Sequence, residues 1–131
     1  MKVRSRHERV VAAPPERIAP LISNFDHVWP TQITPAPRSL GHRLYQSGPM
    51  LWEELDRPGR YLAFRVIRPD GFQVEHWFDL ERVQGGTLCR HTLEGQALGT
   101  YEAEWLERIE PFHGRVLEAV LDNIEAALAE D

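Results

Sequence analysis

The stretch TYEAEWLERIEPFHGRVLEAVLDNIEAALA, residues 100–129, decides the fold. Apolar side chains return at every third or fourth position: Tyr101, Trp105, Ile109, Phe112, Val116, Val120, Ile124 and Leu128. That spacing draws one continuous stripe down a helix, with Glu102, Glu104, Glu107, Arg108, Glu118, Asp122 and Glu125 mostly off it. So wide a stripe, aromatic at its start, has to lie on a large apolar surface. A straight rod over 101–130 would be roughly 45 Å long, against a diameter of about 36 Å for a compact chain of this size. Pro111 also removes a backbone donor and disfavours helical geometry at Glu110. The sequence therefore predicts a kink or break near 109–112, with the gripping helix running on from Phe112.

The surface under the stripe comes from the residues before it. Strands are expected near 39–46, 50–57, 60–68, 73–83 and 86–95. They are separated by Ser47-Gly48-Pro49, Pro58-Gly59, Pro69-Asp70-Gly71 and Gly85-Gly86, all turn-forming sequences. Links this short imply an antiparallel meander. A further strand at 2–11 opens the chain, and its pattern leaves the inward face undetermined. At Pro14-Pro15-Glu16 a short helix should begin, since proline suits the first turn and glutamate favours its positive end. Ile18, Leu21, Ile22 and Phe25 supply its apolar face. Residues 24–29 are expected to form a second short helix, stopped by Pro30.

Period-two alternation assigns faces within the sheet. Val74, His76, Phe78 and Leu80 share one side of their strand, and Thr87, Cys89, His91 and Leu93 share one side of the last. The neighbouring strands contribute Leu62, Phe64 and Val66, then Leu51, Glu53 and Leu55. A two-residue Pro58-Gly59 turn sets Leu55 opposite Leu62 and Glu53 opposite Phe64. A three-residue turn at 69–71 sets Phe64 opposite His76 and Leu62 opposite Phe78. A Gln84-Gly85 turn sets His76 opposite Leu93 and Phe78 opposite His91. A slip of one residue in any pair would turn that strand's pattern inside out.

Composition narrows the function classes. The 131 residues suit one domain, 1–131, with a real core. A net charge of −5 argues against general affinity for nucleic acid or anionic lipid. The single cysteine, Cys89, excludes an internal disulfide and fits a reducing compartment. No apolar run approaches the roughly 20 residues of a membrane span, and the N-terminus lacks a signal-like apolar stretch, so a cytoplasmic protein is expected.

In order and spacing, these pieces resemble the START-like (SRPBCC) superfamily, which holds polyketide cyclases/dehydrases, lipid-transfer domains and the birch-pollen allergen. The resemblance is carried by the early strand with Ala13-Pro14-Pro15-Glu16-Arg17-Ile18, then Trp29-Pro30, Trp52-Glu53-Glu54, Gly85-Gly86-Thr87 and the helix Trp105 to Leu128. It spans essentially the whole chain. It implies an α+β helix-grip fold, a curved antiparallel sheet wrapped around a long C-terminal helix, with two short helices after the first strand. Six strands are read here where seven are common in the family. No universal catalytic motif comes with the resemblance, so no catalytic residue is carried over.

Phosphate loops, nucleophile elbows, paired cysteines and H-E-x-x-H helices are all missing from the sequence. The cavity expected between sheet and helix would be lined by Leu51, Glu53, Leu62, Phe64, His76, Phe78, Cys89 and His91. Trp105, Ile109, Phe112 and Val116 would line it from the helix. Its inward polar residues Glu53, His76 and His91 are the candidates for acid–base chemistry. The same three could instead orient the polar end of a ligand. The histidines, diagonal neighbours about 7–8 Å apart with Glu53 remote, make a poor metal site. Neither metal nor cofactor is expected. Cys89, among apolar neighbours, reads as a structural thiol, and His113 is assigned to the surface or the helix kink.

Trp52 and Trp77 are expected on the outer face beside Arg65, Glu54 and Glu75, where they form either a local stacked arrangement or a homodimer patch. The expected function is non-catalytic binding of a small, largely apolar molecule: a lipid, polyketide or aromatic metabolite. A cyclase/dehydratase in the same cavity, or an interaction module with a vestigial cavity, are the alternatives.

Overall fold

The computed structural model describes residues 1–130, without the side chain of Phe25. Strand β1 (Lys2–Val11) leads into helix α1 (Pro15–Ser23) and a 3-10 turn at Phe25–His27. Six strands follow: β2 (Arg38–Gly41), β3 (Leu44–Ser47), β4 (Met50–Leu55), β5 (Tyr61–Arg68), β6 (Phe72–Val83) and β7 (Gly86–Ala97). The chain then forms a long helix composed of α2 (Tyr101–Glu104), a π-helical turn (Trp105–Ile109) and α3 (Glu110–Ala129). All seven strands make one antiparallel sheet ordered β1-β7-β6-β5-β4-β3-β2. The architecture is the α+β helix grip, a curved sheet against a long C-terminal helix. Among the described residues, no helix is long and apolar enough to cross a membrane.

Burial alternates along β1, which settles its face. Val3, Ser5 and Val11 are buried, while Lys2, Arg4, Arg6 and Glu8 are exposed. Pro14 caps α1 from extended geometry, with Pro15 and Glu16 in the first turn. Ile18 and Ile22, one turn apart, bury completely. The expected second helix reduces to the 3-10 turn, and the side chain of Phe25 lies outside those described.

The seventh strand comes from a turn the sequence hides. The segment expected as one strand over 39–46 folds back at His42 and Arg43, both with positive φ (52° and 64°). A two-residue hairpin with left-handed geometry at both central positions normally uses Asn or Gly. His-Arg in that place carries no such signal.

Register follows turn chemistry for most of the sheet. Phe64 pairs with His76, His76 with Leu93 and Phe78 with His91. Strand β4 departs from expectation. Leu55 pairs with Ala63, Glu54 with Phe64 and Glu53 with Arg65, one residue away from the arrangement of a two-residue Pro58-Gly59 turn. The connection is one residue longer than such a turn. Leu62 adopts φ 48°, in an irregularity that leaves Tyr61, rather than Leu62, opposite Phe78. The one-residue offset turns β4 inside out, as period two requires.

No break interrupts the C-terminal helix at Pro111. Just before it, Trp105–Ile109 form a π-helical turn in which the Glu110 N–H donates to Trp105 O, five residues back. Pro111, which has no N–H to donate, follows directly on this turn as the second residue of α3. The predicted disruption is absorbed as one widened turn.

Two apolar clusters hold the helix on the sheet. One gathers Ile18, Ile22, Val28, Phe78, Cys89, Leu117, Leu121 and Ile124 around α1 and the end of α3. The other packs Val3, Phe72, Val74, Leu93 and Ala97 around Trp105. Outside, Arg9 of β1 clasps α3 by donating to Glu118, Asp122 and Glu125 at 2.7, 2.7 and 2.6 Å. Those three carboxylates recur at helical spacing on one face, so a single arginine reaches them all.

Candidate functional site: a cavity with a histidine wall

Between the two clusters the helix does not fill the face of the sheet it lies on. Sheet and helix enclose a largely apolar cavity of about 880 Å³. The sheet contributes Trp52, Leu62, Phe64, Val66, Phe72, His76, Phe78, His91 and Leu93; the helix contributes Ile109, Phe112, His113, Val116, Leu117 and Val120. Ile22, Val28 and Trp29 close one end. Asn123 donates to Val28 O at 2.9 Å, and Trp29 Nε1 to Thr34 O at 3.1 Å, which ties that end to the helix and to itself. Exposed lining residues mark the rim: Gly48 and Pro49 on the sheet side, Glu107, Arg108, Phe112 and Arg115 on the helix side.

Of the residues assigned to the cavity from sequence, Leu62, Phe64, His76, Phe78, His91, Ile109, Phe112 and Val116 line it, and Leu51, Glu53, Cys89 and Trp105 do not. Glu53 leaves with the inversion of β4: it faces outward and accepts from Arg65 at 2.6 Å. Leu51 flanks Trp52 on the same inverted strand and is replaced by it. Cys89 is sealed in the core around α1, where burial pushes its thiol up to about 12. Trp105 packs on Phe72, 5.9 Å between ring centroids, inside the second cluster.

The inversion also dissolves the expected outer tryptophan pair. Trp52 turns inward, its ring centroid 4.4 Å from that of His76 and 5.1 Å from that of Phe64. Trp77 stays outward but is only 7% exposed, because the Arg60 guanidinium covers it at 3.8 Å. Arg65, expected to stack there, is engaged by Glu53 instead.

His113, assigned from sequence to the surface or the helix kink, is part of the cavity wall. Its ring lies 5.1 Å from His91 and 5.6 Å from His7, between centroids. His91 in turn lies 5.5 Å from His76 and 4.7 Å from Phe78. His7 and His91 are direct partners across β1 and β7, which puts them on one face. Gly114 makes room for this packing, because a Cβ there would stand 3.2 Å from His7 Cε1. No sequence motif announces the group. Only the β1–β7 register, together with the helix position, brings residues 7, 91 and 113 together.

Burial sets the charge of these rings. It lowers His76 to about 4, and it lowers His91 well below the ordinary value, with His113, His76 and His7 adding to the effect. His113 falls to about 3 through burial, then through His76 and His7. All three are neutral at pH 7, each with one N–H and one lone pair. His76 Nε2, His91 Nδ1, His113 Nε2 and Trp52 Nε1 are buried with no hydrogen-bond partner. Such atoms are costly, about 1–3 kcal/mol each, and demand a functional or solvent explanation. Among the described residues no three His, Cys, Asp or Glu side chains are arranged to hold a metal ion.

No family model matches the sequence, and no curated protein is significantly similar to it. Solved structures do match. A START superfamily protein from Mycobacterium smegmatis superposes with a TM-score of 0.61 at 15% identity, over 98% of this chain and 97% of that one. The chain has a START-like fold. Ara h 8.0201 shares it over the full length of both chains, with a TM-score of 0.64 at 13% identity. TTHA0849 from Thermus thermophilus shares it over 98% of this chain and 99% of that one, with a TM-score of 0.64 at 18% identity. On this START-like scaffold, the histidine wall is set by His7, His76, His91 and His113 of the present sequence.

Proposed function

We propose that the protein binds one small, largely apolar molecule in the cavity between sheet and helix. The observation that carries this reading is the cavity itself. At about 880 Å³ it falls within the roughly 300–1,000 Å³ range of small-molecule sites, and it has the usual apolar lining with a few convergent polar groups. A lipid, a polyketide or an aromatic metabolite fits this description, with the aromatic rings of Trp52, Phe64 and Phe78 offering flat contact surfaces.

Binding is favoured over cyclase or dehydratase chemistry by the position of Glu53. With Glu53 outside, the only carboxylate lining the cavity among the described residues is Glu107 at the rim, so the buried wall pairs no acid with a base. The volume likewise supports binding over a vestigial cavity. Native mass spectrometry of the protein as purified tests the reading. A bound species of a few hundred daltons, released on unfolding, is expected. A protein that carries nothing and also leaves the fluorescence of 1-anilinonaphthalene-8-sulfonate unchanged would refute it.

A further inference from the structure

The four imidazoles stand in a row that begins at solvent and ends in the cavity. The side chain of His7 is 18% exposed; its Nδ1 lies 3.6 Å from a Glu118 carboxylate oxygen, and its Nε2 3.1 Å from Ser5 Oγ. From there the ring centroids step 5.6 Å to His113, 5.1 Å to His91 and 5.5 Å to His76. Two imidazoles joined by an N–H···N bond of about 2.9 Å have centroids about 5.2 Å apart, once the distance from each nitrogen to its ring centre is added. Every step matches that separation to within about 0.4 Å. Ring rotations that turn a nitrogen of each ring toward its neighbour would link the row, and they would give partners to the orphaned nitrogens of His76, His91 and His113.

We infer that His7, His113, His91 and His76 form a proton path between solvent and the interior of the cavity, and that the bound molecule is a weak acid whose proton travels along it. The inference rests on the binding reading for its ligand, though the path is a property of the protein alone. A neutral imidazole accepts a proton on one nitrogen and releases another from the second. The ligand X–H gives its proton to His76, His76 passes its own to His91, His91 to His113, and His113 to His7, whose Nε2 turns from Ser5 Oγ to accept it. His7 delivers one to Glu118 or to water. One X–H bond breaks and one O–H bond forms; each ring stays neutral with its proton on the opposite nitrogen, and the return passage restores both ring and ligand. No electron changes hands.

The charged groups around the row favour exchange over net loss of the proton. Glu118 faces His7 from α3 and is shared with Arg9 of β1, with Asp122 and Glu125 beside it. Arg108, Arg115 and Glu107 lie at the rim. Among the described residues no cation lines the buried wall to hold an anion there, so a departed proton must be replaced.

Two measurements test the inference. In ligand-free, 15N-labelled protein, solvent exchange of the ring N–H protons of His76 and His91 is read by NMR for wild type, His113→Phe and His7→Phe. The first variant removes a ring from the middle of the row. The second removes the outermost ring, the one that meets solvent. At least tenfold slower exchange in both is expected, and resonances broadened away in wild type but sharp in the variants count as the same result. Equal exchange rates and line widths in folded variants would overturn the path. If His113→Phe fails to fold, His7→Phe decides alone.

The ligand class is tested by displacement of 1-anilinonaphthalene-8-sulfonate. 1-Naphthol should compete at least tenfold better than its methyl ether, and equal potency would overturn the weak-acid assignment. If the dye does not bind at all, the binding reading falls while the exchange result still decides the path.

Discussion

Acidification from pH 7.5 to pH 5 should cost this protein about 2 kcal/mol of folding stability through His76 alone. In the unfolded chain the imidazole titrates at its ordinary value of 6.5; in the fold, burial lowers it to about 4. Above pH 6.5 the ring is neutral in both states and contributes no pH dependence. Between 6.5 and 4 only the unfolded chain takes up the proton, so stability falls as pH falls. Below 4 both states are protonated and the loss levels off at roughly 3 kcal/mol, each tenfold in proton affinity being worth about 1.4 kcal/mol. At pH 5 the unfolded state gains a factor of about 30 over the native one, which is the 2 kcal/mol quoted. His91 and His113 are shifted the same way and deepen the loss, although neighbouring rings do not titrate independently. Urea unfolding of wild type and His76→Leu at the two pH values isolates the single ring. With a slope of about 1–3 kcal/mol per molar, the wild-type midpoint should fall by roughly 1 M or more, and the variant should be spared about 2 kcal/mol of that loss. An identical acid loss in the two proteins would show that His76 is not held neutral by burial.

Three further outcomes follow from other parts of the molecule. Val116→Phe fills the cavity and should lower affinity for a bound dye at least tenfold, at about 1–3 kcal/mol of stability; unchanged affinity in a fluorescence titration would misplace the cavity. Arg9→Ala leaves Glu118, Asp122 and Glu125 facing one another, and should cost about 1–2 kcal/mol in low salt and distinctly less in 0.5 M NaCl, measured by thermal unfolding. Cys89, buried and with its thiol pushed up to about 12, should react with Ellman's reagent at pH 8 only as fast as the protein unfolds; prompt reaction in native buffer would contradict its burial.

The residues that could be read in advance are those governed by local rules. Period 3.6 placed the stripe from Tyr101 to Leu128 on a helix, because an apolar face must be buried whatever it meets. Period two and short glycine-bearing turns placed His76 opposite Leu93 and Phe78 opposite His91, because a tight turn leaves little freedom of register. Proline chemistry put the start of α1 at Pro15, and it marked Pro111 as a disturbance.

Whatever required one part of the chain to know about another was decided only by the tertiary structure. Trp52 and Glu53 are equivalent under period two, and a single residue in the 56–60 connection, with left-handed Leu62, sent the tryptophan inward and the carboxylate out. His42-Arg43 became a hairpin turn although neither residue favours positive φ. Pro111 was accommodated by a π-helical turn upstream, which no propensity of Trp105–Ile109 requires. His76 and His91 are neighbours already in the hairpin register, whereas His7 and His113 lie far from them along the chain and share no spacing with them. All four meet because β1 pairs with β7 and α3 crosses both, so the position of His7 and His113 depends on contacts that exist only after the sheet has closed on its helix.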